Sequence, residues 1–146
     1  MINRVVAERL IENLTGTKPI NHQQGHWLGG SNLGGDVFVV SEDDKWGCAT
    51  SACAAGHIFI DEADPGMAFN ASTQRVYANL EDANKKVNGV KIDKWAGEKL
   101  GITDFDQQQF LFFQFNGTKD TVNRIKYLLR FPDPLDLDLY DENVNY

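Results

Sequence analysis

The chain has 146 residues and a hydrophobic fraction of 42%, which suits one folded domain and excludes a chain that is disordered throughout. Its formal net charge of −7 disfavours direct contact with nucleic acid, because phosphate binding needs clustered lysine and arginine. No apolar run approaches the roughly 20 residues that cross a bilayer, so we expect no membrane-spanning segment. The simplest role of this charge is to keep the protein soluble, and it also permits binding to a basic partner surface.

The first predicted element is an amphipathic helix over residues 2 to 14, and Gly16 suits the end of this helix. Charged residues such as Arg4 and Glu12 interrupt any signal-peptide core, so we expect a cytoplasmic protein. The two cysteines of such a chain are expected to be thiols or ligands rather than a disulfide.

The glycine-rich stretch from residue 15 to 36 predicts a loop or several turns. A loop of that length inside a compact domain is often functional, and the sequence leaves open whether it is ordered without a partner. Residues 36 to 40 predict a strand, residues 51 to 60 a helix, and residues 71 to 73 the turn of a hairpin. Asn88-Gly89 predicts a further turn.

The second half of the chain predicts mainly helices. One helix is predicted over residues 92 to 100, and Gly101 is expected to end it. Thr103 is expected to cap the next helix, and Thr118 is expected to cap the last one. The phenylalanine-rich run between the last two is expected to lie in the core. We predict an α+β fold, a mainly helical single domain with a short strand or hairpin, over residues 1 to 130.

The composition changes after Arg130. Residues 131 to 146 hold two prolines, five carboxylates and no basic residue, and leucine alternates with aspartate from 135 to 139. This acidic C-terminal segment is compatible with an edge strand, a tail lying on its own domain, or an acidic ligand for a basic groove.

The sequence KWGCATSACAAGH, residues 45 to 57, contains both cysteines and one of the three histidines. As a zinc site it would use Cys48, Cys53 and His57, with His22 or His26 as a further ligand. Cys53 and His57 would share a face if the helix begins near Ser51.

The same stretch permits two other interpretations. A thiol at a helix N-terminus has a lowered pKa, and Cys48 suits that place as a nucleophile. His57 would lie roughly 13 Å further along the helix, so the base would have to be His22 or His26. Against both chemical interpretations, the many small residues favour a closely packed helix in which buried cysteines act as small hydrophobic groups.

The pattern W-x-C-A-T-x-x-C-x-A-G-H, together with the later WAGEKLGITDFDQQQFLFF, resembles a family of small uncharacterised bacteriophage and bacterial proteins. Ala49 stands where that family usually has glycine, and His57 where many relatives have tryptophan. Because tryptophan cannot replace an obligatory ligand, this difference weakens His57 as a metal ligand. The resemblance implies an accessory protein of a bacteriophage or bacterium and no reaction.

We therefore expect a small acidic accessory protein that binds another protein, with no cofactor and no enzymatic activity as the favoured interpretation. Its binding residues would be Asp136, Asp138, Asp141 and Glu142. One concrete version inhibits a host protein that handles nucleic acid, with these carboxylates imitating phosphates. The alternatives are a cysteine-dependent hydrolase that uses Cys48 with His22 or His26, and a zinc-stabilised binding module.

Overall fold

The structure is a computed structural model that describes residues 2–16, 21–22, 28–29, 37–40, 51–52, 54–112 and 117–146. It confirms a mainly helical α+β single domain with short strands. The helices are α1 (Arg4–Thr15), α2 (Ala54–Glu62), α3 (Leu80–Lys85), α4 (Ile92–Leu100), α5 (Phe105–Phe112), α6 (Thr118–Arg130) and a 3-10 helix (Pro134–Leu139). The strands are β1 (Asn21–His22), β2 (Leu28–Gly29), β3 (Val37–Val39), β4 (Ser51–Ala52), β5 (Ala68–Asn70), β6 (Arg75–Tyr77) and β7 (Val90–Lys91).

Helix α1 lies close to its predicted bounds. The Asn3 side chain caps it by accepting a hydrogen bond of 3.3 Å from the Val6 amide. At the other end the Gly16 amide donates to the Glu12 carbonyl at 2.7 Å. Gly16 has φ −91°, so it ends the helix without the left-handed conformation that glycine commonly supplies there.

Two small sheets accompany the helices. In one, β4 lies between β1 and β2, and in the other the order is β3-β5-β6-β7 with every pair antiparallel. The β5–β6 pair confirms the predicted hairpin, and β3 confirms the predicted strand. The stretch predicted as loop and turns includes β1 and β2, because β4 offers hydrogen-bonding groups along both of its edges.

The helix predicted to begin at Ser51 begins instead at Ala54. Ser51 and Ala52 pair with β1 on one side and with β2 on the other, so their extended backbone is unavailable to a helix. Small residues alone did not reveal this, because they are compatible with either conformation.

Two predicted caps are also displaced. Asp104, not Thr103, caps α5, because its side chain accepts the Gln107 amide at 3.0 Å. Thr118 is the first residue of α6 rather than its cap, and Gly117 takes the cap position. The predicted α4 and its stop are confirmed, with Gly101 at φ 84°.

Helix α2 forms the centre of the main core. Every residue from Ala54 to Ile60 is buried, and α2 packs against α1 and α4. The Phe59 ring contacts the Trp95 ring from α4 at a centroid distance of 5.6 Å. Helix α6 packs against α1 on one side. The other side of α6 contacts the C-terminal segment.

Gly97 permits the close approach of α4 to α5. A Cβ atom at this position would lie 2.7 Å from Gln108 Nε2 and 2.9 Å from the Ile102 carbonyl oxygen. Gln108 is itself held there by donating to that carbonyl at 2.9 Å. The absent side chain is therefore a packing requirement of the α4–α5 pair.

We expect Gly97→Ala to lower the free energy of unfolding by about 1 to 3 kcal/mol, because the inserted methyl group overpacks this contact. Urea denaturation followed by circular dichroism measures the change. Gly117→Ser is the matched control, since nothing lies within 4 Å of a Cβ there and serine is a good N-cap. Equal stability of the Gly97 variant and the wild type would contradict the packing argument.

Candidate functional site

The acidic C-terminal segment, residues 131–146, folds against α5 and α6. Its first half is a 3-10 helix in place of the edge strand that leucine–aspartate alternation allowed. Asp133 caps this helix by accepting the Leu135 amide at 2.9 Å, and Pro134 sets a compatible φ at its first position. Local capping and proline geometry thus outweigh the alternating pattern.

An aromatic cluster attaches the segment to α6. Its centre is Tyr127, which is 1% exposed. The Tyr127 ring lies at centroid distances of 5.2 Å from Tyr140 and 4.8 Å from Tyr146, both in the edge-on arrangement that aromatic pairs favour. Phe110 from α5 and Phe131 contact the same ring at 6.0 and 4.9 Å.

Hydrogen bonds fix the segment's position along α6. The Tyr140 hydroxyl donates to Asp120 Oδ1 at 2.7 Å. Asn123 donates from Nδ2 to the Val144 carbonyl at 2.7 Å and accepts the Tyr146 amide at Oδ1 at 2.7 Å. The Tyr127 hydroxyl donates to the backbone carbonyl of Asp136. These contacts span the segment from the 3-10 helix to its last residue.

Arg124 links the aromatic cluster to the polar contacts. Its Nε donates to Asp120 Oδ2 at 2.8 Å and its Nη1 to the Phe110 carbonyl at 2.9 Å. The guanidinium carbon lies 4.5 Å from the Phe110 ring centroid and 4.8 Å from that of Tyr140. Arginine is required for this arrangement, because a planar fork both stacks and donates in several directions.

The four predicted binding carboxylates lie on this attached segment. Asp136 is half-buried, whereas Asp138, Asp141 and Glu142 are exposed. Ion pairs within the described part of the chain use none of these four. Asp138, Asp141 and Glu142 therefore present their charge to solvent and are not paired with the protein's own basic residues in these ion pairs.

Exposed leucines lie among the carboxylates. Leu135 is 84% exposed and Leu139 is 70% exposed, while Leu137 packs against the core. One leucine of the three thus attaches the 3-10 helix, and the other two face solvent. The alternation led us to predict function for its aspartates and not for these leucines. The signal that marks the leucines is that they lie near the two ends of a helical turn that begins with proline.

A cavity of about 1400 Å³ opens between the end of α1, the start of α6 and the last residues of the segment. Lys119 and Lys126 line it together with Asp120 and Glu142. Its charges are mixed, so it favours neither an anion nor a cation. Glu142 is the predicted binding residue that reaches this cavity.

The cysteine motif is only partly visible. Cys48, Cys53 and His26 lie outside the described residues, as do Phe113 and Phe115 of the phenylalanine-rich run. His57 is fully buried in α2. The backbone of His22 pairs with that of Ala52, which precedes Cys53 in the chain.

Metal ligands do not converge elsewhere: across the described ranges, no group of three or more His, Cys, Asp or Glu side chains is arranged to hold an ion. The candidate zinc set of Cys48, Cys53, His57, His22 and His26 falls largely outside those ranges. Of the helices whose residues are described, none combines the length and the apolar character that spanning a membrane requires.

The Tyr140 hydroxyl yields a pH-dependence prediction. Burial, followed by the hydrogen bond to Asp120, raises the pKa of Tyr140 to about 12, and burial also raises the pKa of Tyr127. A pKa raised above the unfolded value of about 10 contributes stability that is complete below pH 10 and is lost as the pH rises toward 12.

We therefore expect Tyr140→Phe to show a smaller loss of unfolding free energy between about pH 10 and pH 12 than the wild type, because one raised pKa is removed. Near pH 8 the variant should be less stable by about 1 kcal/mol, the worth of a lost hydrogen bond. Urea titrations at each pH, with phenolate absorbance recorded in parallel, measure both effects. Identical pH dependence in the two proteins would contradict the assignment.

Comparison with protein-family models, with curated proteins and with solved structures finds no match to this chain.

Proposed function

We propose that this chain is a small acidic accessory protein that acts by binding another protein through its C-terminal segment. The observation that carries the proposal is that the segment is attached to α6 along its length while Asp138, Asp141 and Glu142 face solvent. A disordered acidic tail would need no such attachment.

Order in the free protein favours binding. A segment that is already in place loses less conformational entropy on association than one that folds at the interface. The 3-10 helix, the aromatic cluster around Tyr127 and the Asn123 hydrogen bonds supply that order. The surface is thus prepared before a partner arrives.

The charge of the segment specifies a basic partner. With five carboxylates and no basic residue in residues 131–146, the segment attracts a surface rich in lysine and arginine and repels acidic ones. Proteins that handle nucleic acid present such surfaces to phosphates. A host protein of that class is therefore the partner that the charge of the segment favours.

A second candidate function arises from the β1–β4 pair. It places the His22 backbone against Ala52, next to Cys53 in the chain, and α2 begins at Ala54. This backbone pairing is compatible with the two alternative functions, a cysteine-dependent hydrolase that uses Cys48 with His22 or His26, and a zinc-stabilised binding module. Protein binding remains the leading proposal, because it depends on described side chains.

The binding proposal is tested by removing charge without changing shape. A variant with Asp136→Asn, Asp138→Asn, Asp141→Asn and Glu142→Gln should bind a basic partner at least about tenfold more weakly, and the loss should shrink as salt rises. The partner is first captured from a bacterial lysate, identified and purified, and its affinity is then measured by calorimetry.

The matched control neutralises four exposed carboxylates elsewhere: Glu8, Glu12, Asp64 and Glu98. It changes the net charge equally and should retain near wild-type affinity. Equal weakening by the two variants would mean that total charge, not this segment, governs binding, and unchanged affinity in the segment variant would contradict the proposal.

The second candidate is tested by metal content and thiol reactivity. If Cys48 and Cys53 serve packing, native protein should hold no zinc by mass spectrometry, and both thiols should react only in denaturant. About one zinc per chain would favour the zinc-stabilised module. Fast alkylation of one native thiol near neutral pH, abolished by Cys48→Ser, would favour the hydrolase.

A further inference from the structure

We propose that Leu135 and Leu139 are the anchors of the C-terminal surface and that its partner presents an apolar cleft bordered by lysine or arginine. This inference rests on the proposed protein-binding function and specifies the chemistry of the partner. In this proposal the leucines supply affinity for the partner, and the carboxylates set the orientation in which the partner binds.

Leu135 and Leu139 are strongly exposed to solvent. At 84% and 70%, Leu135 and Leu139 are more exposed than Phe105, at 68%, and Val5, at 64%. Water contact with a leucine side chain is unfavourable, and its burial in an apolar cleft recovers that free energy. Each end of the 3-10 helix therefore carries an unburied apolar group.

These side chains are also held in position. Asp133 caps the 3-10 helix through the Leu135 amide. The Tyr127 hydroxyl binds the Asp136 carbonyl, and Leu137 packs against the core. Anchors on a fixed element contribute more affinity than anchors on a mobile tail, because less entropy is lost when they bind.

The two leucines are bordered by acidic residues. Asp138 lies between them in the chain, and Asp141 and Glu142 follow Leu139 after two and three residues. These carboxylates are exposed, so a wholly apolar partner would have to desolvate charges without compensation. A cleft bordered by basic side chains would bury the leucines and pair with the carboxylates.

The same border disfavours a lipid surface as the occupant. Carboxylates beside the leucines are repelled by anionic headgroups and gain nothing from neutral ones. Membrane insertion by the leucine pair is accordingly an outcome that the test must be able to detect.

The test uses two labelled helical peptides with the same number of lysines. One carries leucines along one face, and in the other every leucine is replaced by serine. Fluorescence anisotropy measures binding to the wild-type chain, to the double variant Leu135→Ser with Leu139→Ser, and to the control Val5→Ser on α1. Circular dichroism checks that each variant is folded, which the exposure of all three positions leads us to expect.

We expect the wild type and the Val5 control to bind the leucine peptide at least about tenfold more tightly than the serine peptide. The leucine double variant should lose this preference and keep the weak, salt-dependent binding of both peptides. Combined neutralisation of Asp138, Asp141 and Glu142 should weaken binding of both peptides. These outcomes support the leucines as anchors and the carboxylates as the charged border.

Equal binding of the two peptides by the wild type, or an unchanged preference in the double variant, would overturn the leucine inference and leave the charge-based proposed function standing. Absence of binding to either peptide at low salt would overturn both the leucine inference and the proposed function. Co-sedimentation with phosphatidylcholine vesicles that requires Leu135 and Leu139 would replace the protein partner with a lipid surface.

Discussion

Tyr127 of α6 is buried against the C-terminal segment, and the candidate surface depends on this contact. Four aromatic rings surround its side chain, and its hydroxyl reaches the backbone of the 3-10 helix. The segment contributes Phe131, Tyr140 and Tyr146 to this cluster, so the segment and the flank of α6 exclude water from each other. Without that exclusion, an acidic stretch with two prolines would have little reason to remain on the domain.

Apolar and charged groups have different roles at this surface. Rings and one leucine face inward, where area burial stabilises the segment, whereas two leucines and three carboxylates face solvent. Arg124 is the basic residue in contact with both the rings and Asp120, and it neutralises the acidic group that holds Tyr140. The exposed carboxylates keep their charge for an external partner.

The small sheet around β4 gives the cysteine motif a different setting from a continuous helix. Within the motif, Ser51 and Ala52 form β4, and α2 begins at Ala54. Ser51 and Ala52 connect the motif to the glycine-rich stretch through β1 and β2. A stretch with the composition of a loop thereby becomes a neighbour of the motif, which is why His22 remains a candidate in the alternative functions.

The sequence alone predicted the elements whose signals are local. Apolar periodicity identified α1, the stop at Gly101 marked the end of α4, and the hairpin was placed around residues 71 to 73, where β5 and β6 pair. Composition also separated the acidic segment and selected Asp136, Asp138, Asp141 and Glu142. Each of these features depends on residues a few positions apart, where intrinsic preferences act directly.

Tertiary structure decided what depends on distant partners. Ser51 and Ala52 are extended because β1 and β2, which lie more than 20 residues earlier in the chain, supply hydrogen bonds to them. Ser51 is in register with Asn21 and Gly29, and Ala52 is in register with His22 and Leu28. The C-terminal segment is an ordered surface because Phe110, Tyr127 and Asn123 are positioned to receive it. The same docking decides which of the three leucines between residues 135 and 139 faces the core. The alternation of leucine and aspartate is equally compatible with a strand, so it does not determine this. Only packing against the helices determines which side chains remain exposed.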